Sequence, residues 1–437
     1  MKRIQVAVVG AGISGLVCAY ELQKMGYEVT VYEKEPYVGG RMSTRRRDGL
    51  TFDIGANLIE RKYSLIDHYC TEMRVPIKDM SLGIHRLLKH SKYYRLNLSM
   101  LRLAGTRLLS WKEKIRMFGL MLRVRFTHPT LSLYNLYHAN PSLDSESAYA
   151  YLKRSIGKRF VDYVADPVIA AYHFHSSKES SKAFFYSILT TYDQRSLSLK
   201  YVTGGMGSLP EAISRRVSVK NGASVKKVWR EGRTVYVESG GKRAYDVVVI
   251  ATTADVARRV IIKKSRNQNA FLDKVKYATT VYVSFKVPED ALGGVYLSYL
   301  PKMESPIICE YSNESRKGSY SYKGHSLINV GLHEDFAKTL IKKSNGLIFK
   351  LVKSELLRVC PELVGVKAEV VPFDLVRWER AVPKFYPGYV RAMQHFWTNG
   401  QGDNSIYLVG DYLNSTGVES AARCGKRVAE MILGEYI

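Results

Sequence analysis

Read as a pattern of apolar and polar positions, the chain opens on a run, Ile4 to Val9, apolar but for Gln5, that passes directly into Gly10-Ala11-Gly12-Ile13-Ser14-Gly15. That order predicts a buried strand, a tight turn and a helix. A second run, Glu28 to Tyr32, predicts the next strand and ends in Glu33. Farther on, Ser224 to Val228 and Thr234 to Glu238 alternate with a period of two around Glu231-Gly232, as an antiparallel pair does. Tyr245 to Thr252, continuously apolar from Val247 to Ala251, reads as a buried parallel strand returning to the first sheet. Between Tyr277 and Gly331, four runs rich in valine and tyrosine, Tyr277–Phe285, Gly294–Leu300, Pro306–Tyr311 and Ser326–Gly331, predict a mostly antiparallel sheet, followed by a helix from about Leu340 to Val359.

The opening turn carries specific chemistry. Gly10 permits the tight turn, Gly12 removes a side chain that would block a pyrophosphate, and Gly15 lets the helix press on its strand. Ile13 and Ser14 complete the phosphate-facing helix start, whose free N–H groups and positive dipole end attract an anion. Glu33, with Lys34 after it, falls at the spacing where an acid accepts hydrogen bonds from a ribose diol. The prediction is a dinucleotide site.

Two further segments separate FAD from NAD. Gly39-Gly40-Arg41 follows the acid, and Asp53-Ile54-Gly55-Ala56-Asn57 comes shortly after. Together they resemble the GGR and DxG segments of the flavin amine oxidase superfamily, which includes monoamine oxidases, protoporphyrinogen oxidases and phytoene desaturases. The resemblance extends to Glu146-Ser147…Leu152…Gly157…Pro167, to Tyr201–Pro210, to Trp378…Pro383…Gly388 and to Gly410-Asp411 with Gly417-Val418. It implies an α/β fold: a Rossmann-type FAD-binding domain with an inserted substrate domain of mixed sheet and helices. The expected parts are 1–83, 201–262 and 376–437 for FAD, 84–200 as a helical insertion that is substrate- and membrane-proximal, and 263–375 as the substrate sheet and helix. It also implies that Arg41 lies near the phosphates and flavin, that Val225 meets adenine through its backbone, and that Asp411 holds the ribityl or phosphate region. The helix after Gly417-Val418 should point at the flavin pyrimidine. The protoporphyrinogen oxidase-like branch is the nearest.

Composition refines this picture. No apolar run reaches the ~18 residues that span a bilayer, and the expected location is cytoplasmic. The five cysteines form no CxxC pair, which argues against a disulfide framework or a zinc site. None lies in Phe385–Tyr389, where the monoamine oxidases carry their flavin-linking cysteine, so the expected FAD is non-covalent. A net charge of +26 favours polyanions. No nucleic-acid motif is visible, which leaves an anionic membrane as the partner to weigh, by peripheral contact on its inner face. From Ile84 to Phe126 eleven Lys and Arg residues interleave with apolar ones against Glu113 alone, a pattern that helices partly inserted into an interface share with a buried core helix pair whose cations snorkel to water.

Three readings of function remain open. The first is an FAD-dependent oxidoreductase removing hydride from a large, largely apolar small molecule, protoporphyrinogen oxidase-like or isoprenoid desaturase-like. The second is an amine oxidase, and the third a flavoprotein whose FAD is structural or non-redox. Amine-oxidising members of the family hold a water near flavin N5 with a lysine, and Thr280 takes that position here, Lys286 being the nearest lysine on the strand. The expected cavity opens from the flavin toward 84–190. Tyr172, Phe174, Tyr386 and Tyr389 are its candidate aromatic walls, and Arg95 or Arg102 would stand at its mouth. His173 and His175 read as packing or surface residues. Oligomeric state is not legible.

Overall fold

The computed structural model describes residues 3–80, 83–96, 105–192, 199–317 and 320–436. Five parallel strands form its first sheet, in the order Ser218–Lys220, Glu28–Tyr32, Gln5–Val9, Val247–Ile250, Ile406–Leu408. Gln5–Val9 and Val247–Ile250 at its centre are almost wholly apolar and buried, the helix Ile13–Lys24 contacting the first and the strand Thr234–Glu238 the second. The helix Ile13–Lys24 packs along Val418–Tyr436. Their approach is so close that a Cβ on Gly425 would stand 2.2 Å from the Ser14 carbonyl oxygen. The antiparallel pair appears as Lys227–Glu231 and Thr234–Glu238, with Lys242–Tyr245 as a third strand.

The second sheet has seven strands, ordered Val371–Pro383, Tyr277–Pro288, His325–Leu332, Ile308–Asn313, Val295–Tyr299, Ile84–Lys89, Lys92–Arg95. Alternation along its strands gives it two unlike faces. Val281, Val283, Phe285, Ile328 and Val330 pack with Ile348, Val352 and Leu356 of the helix Asn345–Val359. On the opposite face, Tyr282 lies across from Gly331, Gly331 from Glu310, and Glu310 from Tyr299. Next to that row, Ser284 donates to Asn329 Oδ1 at 2.5 Å. The polar face is turned toward the helical segment, whose helix Asp166–His173 contacts strands Val295–Tyr299 and Ile308–Asn313.

The structure corrects the helical reading of residues 84–95. These residues form a hairpin at the sheet's edge, and Ile84–Lys89 makes the sheet's parallel pairing with Val295–Tyr299. The turn is made by His90 and Ser91, both left-handed (φ 49° and 60°), the geometry usually supplied by Asn-Gly. Without that dipeptide the turn was hidden, and the cations suggested a helix face. Arg86 instead spends its charge inside the sheet, on Glu362, with its guanidinium over Tyr93. The helical expectation holds farther on, at Trp111–Thr127, where Ser110 and Glu113 form a reciprocal cap. Ser147 caps Ala148–Ser155, while the Ser145 hydroxyl bonds the Ser142 carbonyl.

Candidate functional site

The turn after the first strand is built as a cradle. Gly10 has φ 106°, and a Cβ at Gly15 would stand 2.2 Å from the Gly10 carbonyl oxygen, so both positions demand glycine for packing. Gly12 differs, since a Cβ there would meet nothing within 4 Å. The space it faces lies at the start of the helix Ile13–Lys24, whose first turn carries no acid. Gly12 pairs with Gly39, and the Gly39 N–H donates to the Ala11 carbonyl at 2.8 Å. A Cβ on Gly40 would come within 3.8 Å of the Gly12 Cα, so two glycine-lined backbones face each other. An open, side-chain-free space at an uncompensated helix N-terminus fits the pyrophosphate of a dinucleotide. Ile13 and Ser14 are buried behind it.

Glu33 is buried at the end of its strand, and its two carboxylate oxygens accept the N–H groups of Ala11 (2.8 Å) and Glu35 (2.9 Å). It therefore anchors the glycine turn. The Glu33 carbonyl accepts from Ala223, which brings the half-buried Val225 segment alongside. Lys34 is on the surface, paired with Glu35 at 3.0 Å, and adds nothing to the cradle.

Arg41 and Asp411 meet directly. The guanidinium grips both Asp411 oxygens at 2.8 and 2.9 Å and also donates to the Ala381 carbonyl. Gly55 presses on the Arg41 backbone, and the Ala56 N–H donates to the Arg41 carbonyl. Asp53 ties this segment down through Thr44, the Met206 N–H and Tyr320. Gly410 and Gly417 both have positive φ, and buried Val418 begins the last helix.

In front of these segments stands a group of tyrosines that the sequence reading found only in part. The Asn57 amide approaches the Tyr282 hydroxyl at 3.4 Å, and a Cβ on Gly417 would lie 3.4 Å from the Tyr63 hydroxyl. Tyr172 meets Tyr299 at 3.1 Å, and His85 Nδ1 meets the same hydroxyl at 3.1 Å. Glu310 lies between Tyr299 and Tyr282 in the sheet row, with Oε1 directly over Gly331, where a Cβ would be only 2.7 Å away. Phe174, held left-handed at φ 65°, brings its ring to the same glycine. Burial, with Glu314 adding to it, raises the Glu310 carboxyl well above the usual carboxylate range. Burial likewise lowers His85 to about 4, leaving it neutral.

Tyr389 and Tyr386 do not join this group. Tyr389 is fully buried in the core, its hydroxyl on the Tyr412 carbonyl and its ring against Phe385. Tyr386 turns outward, bonding the Lys274 carbonyl beneath the Lys276 ammonium. Arg95 is exposed on the sheet's edge strand, and Arg102 lies outside the described residues. His173 and His175 are buried, as packing residues are. A cleft of about 470 Å³ lined by His128, Tyr137, His138 and Gln394 shares no residue with the cradle or the tyrosine group. Polar residues inside apolar strands, Glu310 after Ile307-Ile308-Cys309 and Thr280, Tyr282 and Ser284 alternating with Val281, Val283 and Phe285, are the available signal for the missed face.

The flavin containing amine oxidoreductase family model matches residues 13–433. The chain is 21% identical to chloroplastic/mitochondrial protoporphyrinogen oxidase 2 of Arabidopsis thaliana over 98% of this chain and 94% of that protein. A shorter match, 45% identical, covers 13% of this chain and 11% of a 4,4'-diapophytoene desaturase of Staphylococcus aureus. The chain spans nearly all of the Arabidopsis protein but a third or less of other curated relatives it matches. Among solved structures, a double mutant of putrescine oxidase superposes with a TM-score of 0.77 at 18% identity, over 99% of this chain and 100% of that one. The cofactor is FAD, held non-covalently, and all five cysteines are buried. The chain belongs to the flavin containing amine oxidoreductase family and is an FAD-dependent oxidoreductase acting on a small molecule.

Proposed function

We propose that this oxidoreductase removes hydride from a carbon of a large, largely apolar substrate, in the manner of a protoporphyrinogen oxidase or an isoprenoid desaturase. Thr280 carries this reading. It occupies the position where amine-oxidising relatives are expected to hold a lysine, and its hydroxyl is buried and donates to the Leu332 carbonyl at 3.1 Å. Lys286 lies about 20 Å farther along the same strand, at the spacing of ~3.3 Å per residue. Of the three buried lysines among the described residues, Lys384 and Lys317 are committed to carboxylates, and Lys89, on the edge hairpin, lies over the Tyr163 ring.

FAD supplies the two-electron acceptor. Gly12, Gly39, Gly40, Glu33, Arg41, Asp411 and the Gly417-Val418 helix start would hold it, with Asn57 and Tyr63 beside the substrate space. The tyrosine hydroxyls and the buried Glu310 then orient hydrogen-bonding groups on an otherwise apolar molecule and keep bulk water out.

One observation favours amine oxidation as a second reading. Glu310, a buried acid between two tyrosines, would have its ionised form favoured by an arriving ammonium. Anaerobic mixing with a porphyrinogen, a hydrogenated polyene precursor or a polyamine separates the two. The expected result is bleaching of the flavin by one of the first two, and bleaching by the polyamine alone would overturn it.

The same proposal places the enzyme in the cytoplasm in peripheral contact with an anionic membrane. Among the described residues no helix is long and apolar enough to cross one.

A further inference from the structure

The helix Trp111–Thr127 has two apolar faces, where packing against one core requires one. Met117, Leu120, Met121 and Val124 are buried. Trp111, Ile115, Phe118, Leu122 and Phe126 are 67%, 59%, 49%, 37% and 78% exposed. At 3.6 residues per turn these five fall within an arc of about 80° along the whole helix. On that same wheel Lys114 and Arg125 flank the stripe on one side, and Lys112, Arg116 and Arg123 on the other. The helix's acid, Glu113, is engaged by Ser110 in the cap.

We propose that this helix is a membrane-docking surface, lying in the plane of an anionic bilayer with the five apolar side chains among the acyl chains and the flanking cations against lipid phosphates. The inference rests on the peripheral contact proposed above and assigns it to one element. Charge selects this occupant. A second copy of the chain docked on the stripe would set rows of cations against identical rows on a molecule of net charge +26, whereas an anionic lipid surface neutralises both flanks at once. A zwitterionic surface would satisfy the stripe alone.

The test is flotation of the FAD-loaded protein with vesicles of equal parts phosphatidylglycerol and phosphatidylcholine, compared with phosphatidylcholine alone. The native protein is expected to bind the anionic vesicles and to release progressively with salt. Combining Trp111→Ser, Phe118→Ser and Phe126→Ser, all outward-facing, should lower partitioning about a hundredfold with unchanged FAD content. Lys112→Glu with Arg123→Glu should abolish the preference for anionic lipid. Native-like flotation of the triple variant would overturn the assignment. So would failure of the native protein to float, including the case of a dimer that the triple variant splits. Flavin reduction by substrate is read separately, so vesicle failure with reduction intact refutes the docking surface and leaves the oxidoreductase reading standing.

Discussion

Gly12 and Glu33 act on the same turn for different reasons, and their substitutions should fail differently. A Cβ at Gly12 would meet nothing within 4 Å, so Gly12→Val should fold yet purify without flavin, and a full yellow complement would count against the cradle. Glu33 holds two backbone N–H groups, so Glu33→Ala should weaken FAD by about 1.5–3 kcal/mol and also loosen the turn. Titration of apo-protein with FAD measures the first effect, and amide exchange at Ala11 the second. Both residues were legible from sequence because their roles belong to the backbone at fixed spacings. Glu310 was not, since what makes it matter is its alignment with Tyr282 and Tyr299 across strands far apart in the chain. Tyr389 misled for the converse reason: an aromatic near a cofactor segment has the same letter whether it faces a cavity or, as here, the core.

Between elements, the closest fit joins the first and last long helices. A methyl group on Gly425 would sit 2.2 Å from the Ser14 carbonyl oxygen and 3.2 Å from the Cys18 nitrogen, both backbone atoms that cannot swing away. Gly425→Ala should therefore cost about 3 kcal/mol and lower FAD affinity as well, because Ser14 sits in the first turn of the phosphate-facing helix. Urea unfolding followed by flavin fluorescence and circular dichroism would show whether the two losses coincide. Elements with strong local signals, the parallel strands and the capped helices, were readable from periodicity. The hairpin at residues 84–95 was not, because its turn uses His90 and Ser91 in left-handed geometry and its strands are buried only by joining a sheet whose other members begin near residue 277.

For the molecule as a whole, buried ionisable groups set how stability varies with pH. Burial depresses His173 to about 3 and His175 and His333 to about 4, with His175 adding to the shift at His173. The unfolded chain therefore binds more protons than the folded one below about 6.5. Stability is full above that value and is lost as pH falls toward 4, by about 3 kcal/mol for one such imidazole. His333→Gln should flatten the acid limb of the urea midpoint against pH. Glu310 works in the opposite sense, for its raised folded value means stability is lost as pH climbs above the ordinary carboxylate range. Glu310→Gln should thus be more stable than the native protein at pH 8 and equal to it near pH 4. The cradle itself draws on both extremes of the chain, since Arg41 clasps Asp411 and Val247–Ile250 waits beside the first strand for Ile406–Leu408. During synthesis that sheet must stand with an open edge while about 155 residues emerge, roughly 10–30 s at translation rates of about 5–20 residues per second. Until then the nascent protein has no complete place for FAD, and cells short of flavin should accumulate it with the last helix undocked and the edge free to pair with the wrong strand.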